Sequence, residues 1–385
     1  MPDQVQTLLA RLVSFDTTSK LPNRACIDFI RDYLDGLKIK SEIVPGEDGK
    51  ASIWATIGPS EGRGIVLAGH SDTVPVEGQD WSSDPFKLTE RDGKFFARGA
   101  CDMKGFVACA LAIATEFAGK SFKKPLHLAF THDEETTMVG AARLTEFLKK
   151  RGTAPAWTWI GEPTSLRIVD AHKGVSAYRT SITGVPGHSG QPDRGLNAIE
   201  LGATFLDIVL QTAAAKKAKP IPGSRFAPPF TTFNLATIAG GTAENIIAGH
   251  CDILWQVRAH PGDNLEAALD EIDQAARKEI GPRLKPFAPQ AKMSTCTCFD
   301  IPPLTPPKDN PGREAIALET GQNEPDAVSF ATEAGFFQKL GGPAVVCGPG
   351  SIDQAHKADE YVEASQLEGC MALLRKVLSP ALLKD

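Results

Sequence analysis

The 385-residue sequence predicts an α/β fold: a mixed, mostly parallel sheet flanked by helices, interrupted by a smaller α+β unit. Two observations carry this. Short apolar runs that end in glycine, histidine or acidic residues alternate with helical periodicity through the first 170 residues, and one such run recurs near the end. Between them, residues 175–290 read as β-α-β-β-α with a further strand near 284–290, the order of a ferredoxin-like unit. The expected division is a first domain of residues 1–174 and 291–385, and an inserted domain of residues 175–290.

Taken in order, Val5, Leu8, Leu9, Leu12 and Val13 recur at i+3/i+4 spacing and predict an amphipathic first helix. Residues 65–68 form a buried strand ending at Gly69 and His70. Residues 126–130 form another, ending at Thr131-His132-Asp133-Glu134-Glu135, and residues 157–160 a third, ending at Gly161-Glu162-Pro163. Helices are expected at about 104–118 and 139–150. In the inserted segment, 175–182 is a strand and Gly184-Val185-Pro186-Gly187 a turn. Leu196, Ile199, Phe205, Ile208 and Val209 mark a helix, and residues 213–230, rich in Ala, Lys and Pro, a long connection. Strands follow at 231–239 and 250–259. Asp263 is the expected N-cap of a helix with Leu265, Leu269, Ile272 and Ala276 on one face, ended by Gly281. The last parallel strand, 344–347, runs into Gly348-Pro349-Gly350.

Composition narrows the function. The 41 Lys plus Arg against 47 Asp plus Glu give a net charge of −6, which argues against a nucleic-acid or anionic-membrane surface as the main partner. No apolar run approaches the ~20 residues that span a bilayer, and the first residues carry Asp3 but no cationic cluster, so no secretory signal is expected. Eight cysteines with no C-x-x-C, and one C-x-C at Cys296 and Cys298, fit a reduced, cytoplasmic protein.

The chemistry is positional. His70, the Glu134-Glu135 pair and Glu162 each follow the carboxyl end of a predicted parallel strand, the edge where open α/β sheets bind ligands. Asp102 begins a helix and His356 follows the last glycine-rich loop. Each alone is an ordinary surface or packed residue, but carboxylates converging on one edge would repel one another unless a cation compensated them. Two His with carboxylates and no thiolate suit Zn²⁺, Co²⁺ or Mn²⁺. Asp102, Glu135 and Glu162 with a hydroxide balance two divalent ions. Asp72, two residues after His70, is placed to accept from the other ring nitrogen of that histidine. Neighbours in an extended chain point oppositely, so one of Glu134 and Glu135 can ligate while the other stays free as a general base. His127 reads as structural, and His132 and His172 are given no metal role. H-E-x-x-H, the P-loop and G-x-G-x-x-G are all absent from the sequence.

Gly69-His70-Ser71-Asp72-Thr73-Val74-Pro75, Asp102-Met103-Lys104-Gly105, Asp133-Glu134-Glu135, Gly161-Glu162-Pro163-Thr164 and Gln354-Ala355-His356 occur in that order. Together they resemble the dinuclear zinc family of amidohydrolases and exopeptidases, over nearly the whole chain. The stretches WSSDPFKLTE from Trp81, IGEPTS from Ile160, Ala171-His172-Lys173-Gly174, RGLNAIE from Arg194, Thr332-Glu333-Ala334 and GPGSIDQAH from Gly348 are most similar to its acetylornithine deacetylase branch. The resemblance implies a zinc-exopeptidase-like fold whose inserted domain acts as lid and dimerisation module. It implies one zinc on His70, Asp102 and Glu162, and a second on Asp102, Glu135 and His356, with Co²⁺ as a possible substitute. Glu134 then matches the general base and Asp72 the carboxylate behind His70. His188 matches a lid histidine reaching the partner subunit's site, and Asn245, Arg258 and Gly350 match substrate-contacting positions. Glu333 is a candidate partner for a substrate amine, its alternative being a surface glutamate. The implied reaction is hydrolysis of N²-acetyl-L-ornithine to L-ornithine and acetate by a homodimer acting on a small N-acyl amino acid. The alternatives are another N-acyl-amino-acid deacylase, such as a succinyl-diaminopimelate desuccinylase, and a metallo-carboxypeptidase or dipeptidase.

Overall fold

Apolar side chains with no polar alternation favour strands buried on both faces, and the strand Ile65–His70 is buried at all six positions. The computed structural model describes residues 2–384; residues 1 and 385, the outer limits of the expected first domain, lie outside the described residues. Ile65–His70 sits inside an eight-stranded sheet. The order is Lys40–Pro45, Ala51–Ile57, Leu126–Thr131, Ile65–His70, Trp157–Ile160, Ala344–Val346, Val169–His172 and Asp326–Val328. Four neighbouring strands are mutually parallel: Leu126–Thr131, Ile65–His70, Trp157–Ile160 and Ala344–Val346. Their register pairs His70 with Thr131, Ala68 with Ile160, and Val346 with Ile160, so the carboxyl ends lie nearly level. Helix Lys104–Phe117 is buried over most of its length, and its Phe106, Leu111 and Phe117 join Leu67, Phe130 and Trp159 in one core. The expected helices at about 104–118 and 139–150 are Lys104–Phe117 and Val139–Lys150.

Contacts divide the chain into two units. The first comprises Met1–Ala171, Leu304–Ala327 and Thr332–Asp385; the second comprises His172–Pro303 with Val328–Ala331. The second unit has an antiparallel sheet ordered Thr232–Gly240, His250–Ala259, Gly174–Thr183 and Lys292–Ile301, with helices Ala198–Lys217 and Leu265–Glu279 between strands in the chain. This is the ferredoxin-like order. Cys251, Ile253, Trp255, Val257 and Ala259 are buried while their neighbours are less so, the period-2 pattern of a one-faced sheet. Leu201, Phe205, Ile208, Val209, Ile272 and Ala276 complete that core.

Several boundaries differ from the expectation. Residues 284–290 are not a strand: they end a short helix, Gly281–Leu284, and continue through the turn Lys285–Phe287. Pro286 and Pro289 lack the amide hydrogen a ladder needs. The fourth strand is Lys292–Ile301, so the second unit runs past residue 290. Asn264, not Asp263, caps the following helix, its side chain accepting from the Ala267 amide at 3.0 Å, while Asp263 binds Lys216 Nζ at 2.8 Å. Gly281 opens a further helical turn instead of closing the helix. Residues 213–217 belong to helix Ala198–Lys217, and Leu196 precedes its cap, Asn197. That 20-residue helix is, by length and composition, long and apolar enough to cross a membrane, contrary to the expectation that no such run exists. Glu200, Asp207, Lys216 and Lys217 obscure it in the sequence; in the structure its apolar face packs on the second unit's sheet.

His127, near the start of Leu126–Thr131, is buried, stacked on Trp54 at 4.5 Å and 3.0 Å from Thr56 Oγ1. Burial pushes its pKa down from 6.5 to about 4. Between those values the unfolded chain binds a proton that the folded chain does not, so this contribution to stability is full above pH 6.5 and lost as pH falls toward 4. Urea midpoints at pH 7 and pH 5 test this: His127→Gln is expected to lose less stability over that interval than the unsubstituted chain. An equal loss would remove His127 as the source.

Candidate metal centre

The level strand ends bring together the side chains that the sequence scatters. His70 is the last residue of its strand and is fully buried. Its Nε2 lies 3.2 Å from Asp102 Oδ1 and 4.0 Å from both Glu134 Oε2 and Glu162 Oε1. Glu162 follows Trp157–Ile160 through Gly161, where a Cβ would overlap the Phe106 ring; only glycine lets the strand end approach that helix. Asp102 lies just before helix Lys104–Phe117, separated from it by the single residue Met103. Its second oxygen, Oδ2, is 3.3 Å from His356 Nε2, and the same nitrogen is 2.9 Å from Glu135 Oε2. Asp102 thus points one oxygen at each histidine.

Two donor triads result, His70 with Asp102 and Glu162, and Asp102 with Glu135 and His356; in each, the candidate ligand atoms lie within 4.8 Å of one another. Glu134 belongs to neither, although it neighbours His70. The pair lies in a turn and not in extended chain, so the expected alternation of an extended segment is not what separates the two side chains. The turn carrying the pair is pinned by Asp72, whose Oδ1 accepts from the Glu134 amide at 3.1 Å and Oδ2 from the Glu135 amide at 3.3 Å. The expected contact of Asp72 with His70 differs in detail. His70 Nδ1 faces the backbone oxygen of Asp72 at 3.0 Å, with the nearer carboxylate oxygen at 3.7 Å. Ser19 Oγ donates to Asp72 Oδ2 at 2.6 Å, a partner with no local signal in the sequence.

The electrostatics describe a site built for cations. Burial first, then repulsion from Glu162, raises the Glu134 pKa well above the carboxylate range. Burial and Asp102 do the same to Glu162. Glu135 is pushed up to about 7 by burial and Asp102, against the pull of His356. Burial lowers the pKa of His70, but Asp102 and the neighbouring glutamates outweigh it and hold the ring well above its ordinary value. His356 is raised to about 10 by its hydrogen bonds to Asp102 and Glu135. Acids driven toward neutrality beside imidazoles driven toward charge indicate an excess of negative field. Glu162 Oε1 is buried with no hydrogen-bond partner, the mark of a group whose partner is not a protein atom. The donor set, imidazole and carboxylate without thiolate, suits borderline divalent cations. The residues therefore fit a pair of metal ions.

Of the remaining expected residues, Glu333 lies near enough to act on Glu162 and His70, and the others fall outside the triads. Glu333 is fully buried, which overturns the surface alternative; Thr131 Oγ1 donates to its Oε1, its Oε2 has no partner, and burial raises its pKa to about 7. Gly350 has φ +84, and both its polar groups are engaged internally, the amide with Gln366 Oε1 at 3.2 Å and the carbonyl with the Ser165 amide at 2.5 Å. No free backbone donor remains there for the expected substrate contact. His188, Asn245 and Arg258 belong to the second unit. His188 is exposed and bridges Ile246, the Ser189 amide donates to the Asn245 carbonyl at 3.0 Å, and Arg258 lies half-buried in His250–Ala259. His132 pairs with Asp133 at 3.0 Å, and His172 Nδ1 lies 2.9 Å from the Lys173 carbonyl.

The description of peptidase family M20/M25/M40 matches residues 66–379. A curated acetylornithine deacetylase of Aliivibrio fischeri is 36% identical over 385 residues, covering 98% of this chain and 97% of that protein. Among solved structures, aminopeptidase PepT from Bacillus cereus superposes with a TM-score of 0.72 at 18% identity, covering 98% of both chains. The Bacillus subtilis YXEP protein, a dinuclear metal-binding peptidase from the M20 family, superposes with a TM-score of 0.64 at 14% identity, covering 97% of this chain and 98% of its own. At those identities the two structures speak to the fold.

Crowded carboxylates give a sign-reversing test. Glu162→Gln removes a buried acid that must either ionise beside Asp102 or be held protonated at a cost, so in excess chelator it is expected to stabilise the chain by about 1–3 kcal/mol, the size of an unsatisfied buried group. With added zinc the order should invert, because the variant lacks a charged ligand. Thermal unfolding under both conditions measures it; a variant less stable than the unsubstituted chain in chelator would contradict the reading.

Proposed function

This chain belongs to peptidase family M20/M25/M40, and on that premise we propose that it is a metal-dependent amidohydrolase that converts N²-acetyl-L-ornithine to L-ornithine and acetate, a step of arginine biosynthesis. The observation carrying the reaction type is Asp102 shared between two donor triads, with Glu134 beside them and in neither. The substrate rests on the name of the 36%-identical relative.

His70, Asp102 and Glu162 would hold one divalent cation, and Asp102, Glu135 and His356 a second. Bound there, zinc or cobalt supplies Lewis acidity at the amide carbonyl and a nucleophilic water at neutral pH. Glu134 would take a proton from the water that attacks the acetyl carbon and deliver it to the α-nitrogen as the C–N bond breaks. Asp72 keeps Glu134 aimed through the backbone amides of residues 134 and 135. His188 of one subunit is assigned to the oxyanion in the partner subunit's site, a donor of a kind worth ~2.7–4 kcal/mol. The Arg258 side chain makes no ion pair or hydrogen bond among the described residues, and its half-buried guanidinium acts on the charge of Lys173, so an anionic group such as the substrate carboxylate is its natural partner. Asn245 is assigned to the substrate's polar groups. Glu333 is assigned to the side-chain ammonium, whose charge would draw the buried carboxyl to its ionised form. The reading includes a homodimer formed through the inserted domain, a cytoplasmic location, and no nucleic-acid or membrane partner.

The test uses chelator-stripped protein reloaded with zinc or cobalt and assayed on N-acetylornithine, N-acetylmethionine, N-succinyl-diaminopimelate and a dipeptide. Metal-restored activity highest on N-acetylornithine is expected. A maximum on the succinyl substrate or the dipeptide would replace the substrate while keeping the site, and no metal-dependent activity would overturn the reading. Glu134→Ala is expected to keep fold and metal but lose about 10²–10⁴ in kcat; near-normal kcat would remove Glu134 as the base. Glu333→Gln is expected to lower the preference for N-acetylornithine over N-acetylmethionine, and an unchanged ratio would remove Glu333 from substrate selection.

A further inference from the structure

Behind the second donor triad lies a buried polar cluster that the reaction does not use directly. The Glu360 carboxylate is 1% exposed and accepts four hydrogen bonds, all from one short stretch of chain. Its Oε1 takes the backbone amides of Cys101 at 2.9 Å and Asp102 at 3.0 Å. Its Oε2 takes Arg98 Nη1 at 2.7 Å and the Gly99 amide at 3.1 Å. Arg98 is equally buried. Its guanidinium lies 4.9 Å over the Trp81 ring and also donates to the carbonyls of Lys357 at 3.2 Å and Pro75 at 3.3 Å, and to Gln79 Oε1. Gln79 completes the circuit: Trp81 Nε1 donates to its oxygen at 3.2 Å, and its own Nε2 donates to the backbone carbonyl of His356 at 3.0 Å.

The two ends of this network are the backbone amide of Asp102 and the backbone carbonyl of His356, two of the three candidate ligands of one triad. His356 is the ligand most in need of such support. His70 ends a strand and Glu162 follows one, both held by the sheet. His356 lies in a loop with φ +64, and its side chain is 52% exposed. A buried ion pair adds little stability once desolvation is counted, so stability alone does not account for two buried charges here. The planar fork of arginine, reaching Glu360, Gln79 and two carbonyls at fixed angles, suits a positioning role that lysine could not fill.

We infer that Arg98, Glu360 and Gln79 form a positioning clamp that holds Asp102 and His356 in register, and so sets the cation affinity of the Asp102–Glu135–His356 triad selectively. This rests on the two-cation reading above. None of the three residues touches substrate; they act through the ligands they orient.

Zinc binding to chelator-stripped protein separates the possibilities, with Zn²⁺ itself as probe, the metal counted per chain by mass spectrometry and both dissociation constants read from a buffered zinc series. The unsubstituted chain is expected to bind two. Gln79→Leu, which cuts the link to His356 and single contacts of Arg98 and Trp81, is expected to raise one of the two constants about 10–100-fold, the usual cost of losing an outer partner, while leaving the other near its original value. Glu360→Gln and Arg98→Lys should do the same. The unfolding midpoint of Gln79→Leu in excess chelator should match the unsubstituted chain, which a merely structural brace would not allow. Two unchanged constants in Gln79→Leu, or both constants rising together with a fall of the chelator midpoint, would overturn the clamp. An unsubstituted chain that binds fewer than two zinc ions would overturn the two-cation reading itself.

Discussion

Four carboxylates and two imidazoles are crowded onto one edge of a buried sheet, and the surrounding structure is organised around that excess of negative field. Asp102 is held ionised by His70 and His356, whereas Glu134, Glu135 and Glu162 are each pushed toward the neutral form. Such an arrangement is costly in a low-dielectric site unless cations enter it. A fold that retained it without cations would carry a penalty with no return, which is why the donor geometry, more than any single residue, points to metal chemistry.

The sheet makes the crowding possible. Parallel strands in matched register end level, so residues that follow His70, Thr131, Ile160 and Val346 converge although they lie far apart in the chain. Strand ends alone do not aim side chains. Asp72 fixes the turn bearing Glu134 and Glu135, a glycine at 161 lets Glu162 approach, and the Arg98–Glu360 pair reaches Asp102 from behind. The ligands on regular elements need little help, and those on loops are braced by buried hydrogen bonds. Asp72 holds the amides of both glutamates, and of the two only Glu135 belongs to a donor triad.

Much of this was legible in the sequence because buried parallel strands announce themselves as unbroken apolar runs, and the polar residue after each run is where chemistry can sit. The runs at 65–68, 126–130, 157–160 and 344–347 all fall within a strand or one residue of its end. What was not legible lacks that signature. Lys292–Ile301 is mostly exposed along its length and so has no apolar alternation to read, which is why the strand was expected several residues early. Asp263 and Asn264 are both good caps, and only the competing ion pair with Lys216 decides between them. The burial of Glu333 and the pairing of Arg98 with Glu360 join residues far apart in the chain, so no local pattern could reveal them. Gly350 illustrates the converse: a glycine in a suggestive loop whose polar groups turn out to be satisfied internally.

The central claim is that Asp102 is shared by two cations, one bound with His70 and Glu162, the other with Glu135 and His356. Its most direct measurement is anomalous diffraction at the zinc edge from crystals of the zinc-loaded protein. The account predicts two peaks about 3.5–4 Å apart, the spacing of paired catalytic ions, with one Asp102 oxygen on each. A single peak at full zinc loading, or two peaks with Asp102 bound to neither, would contradict it.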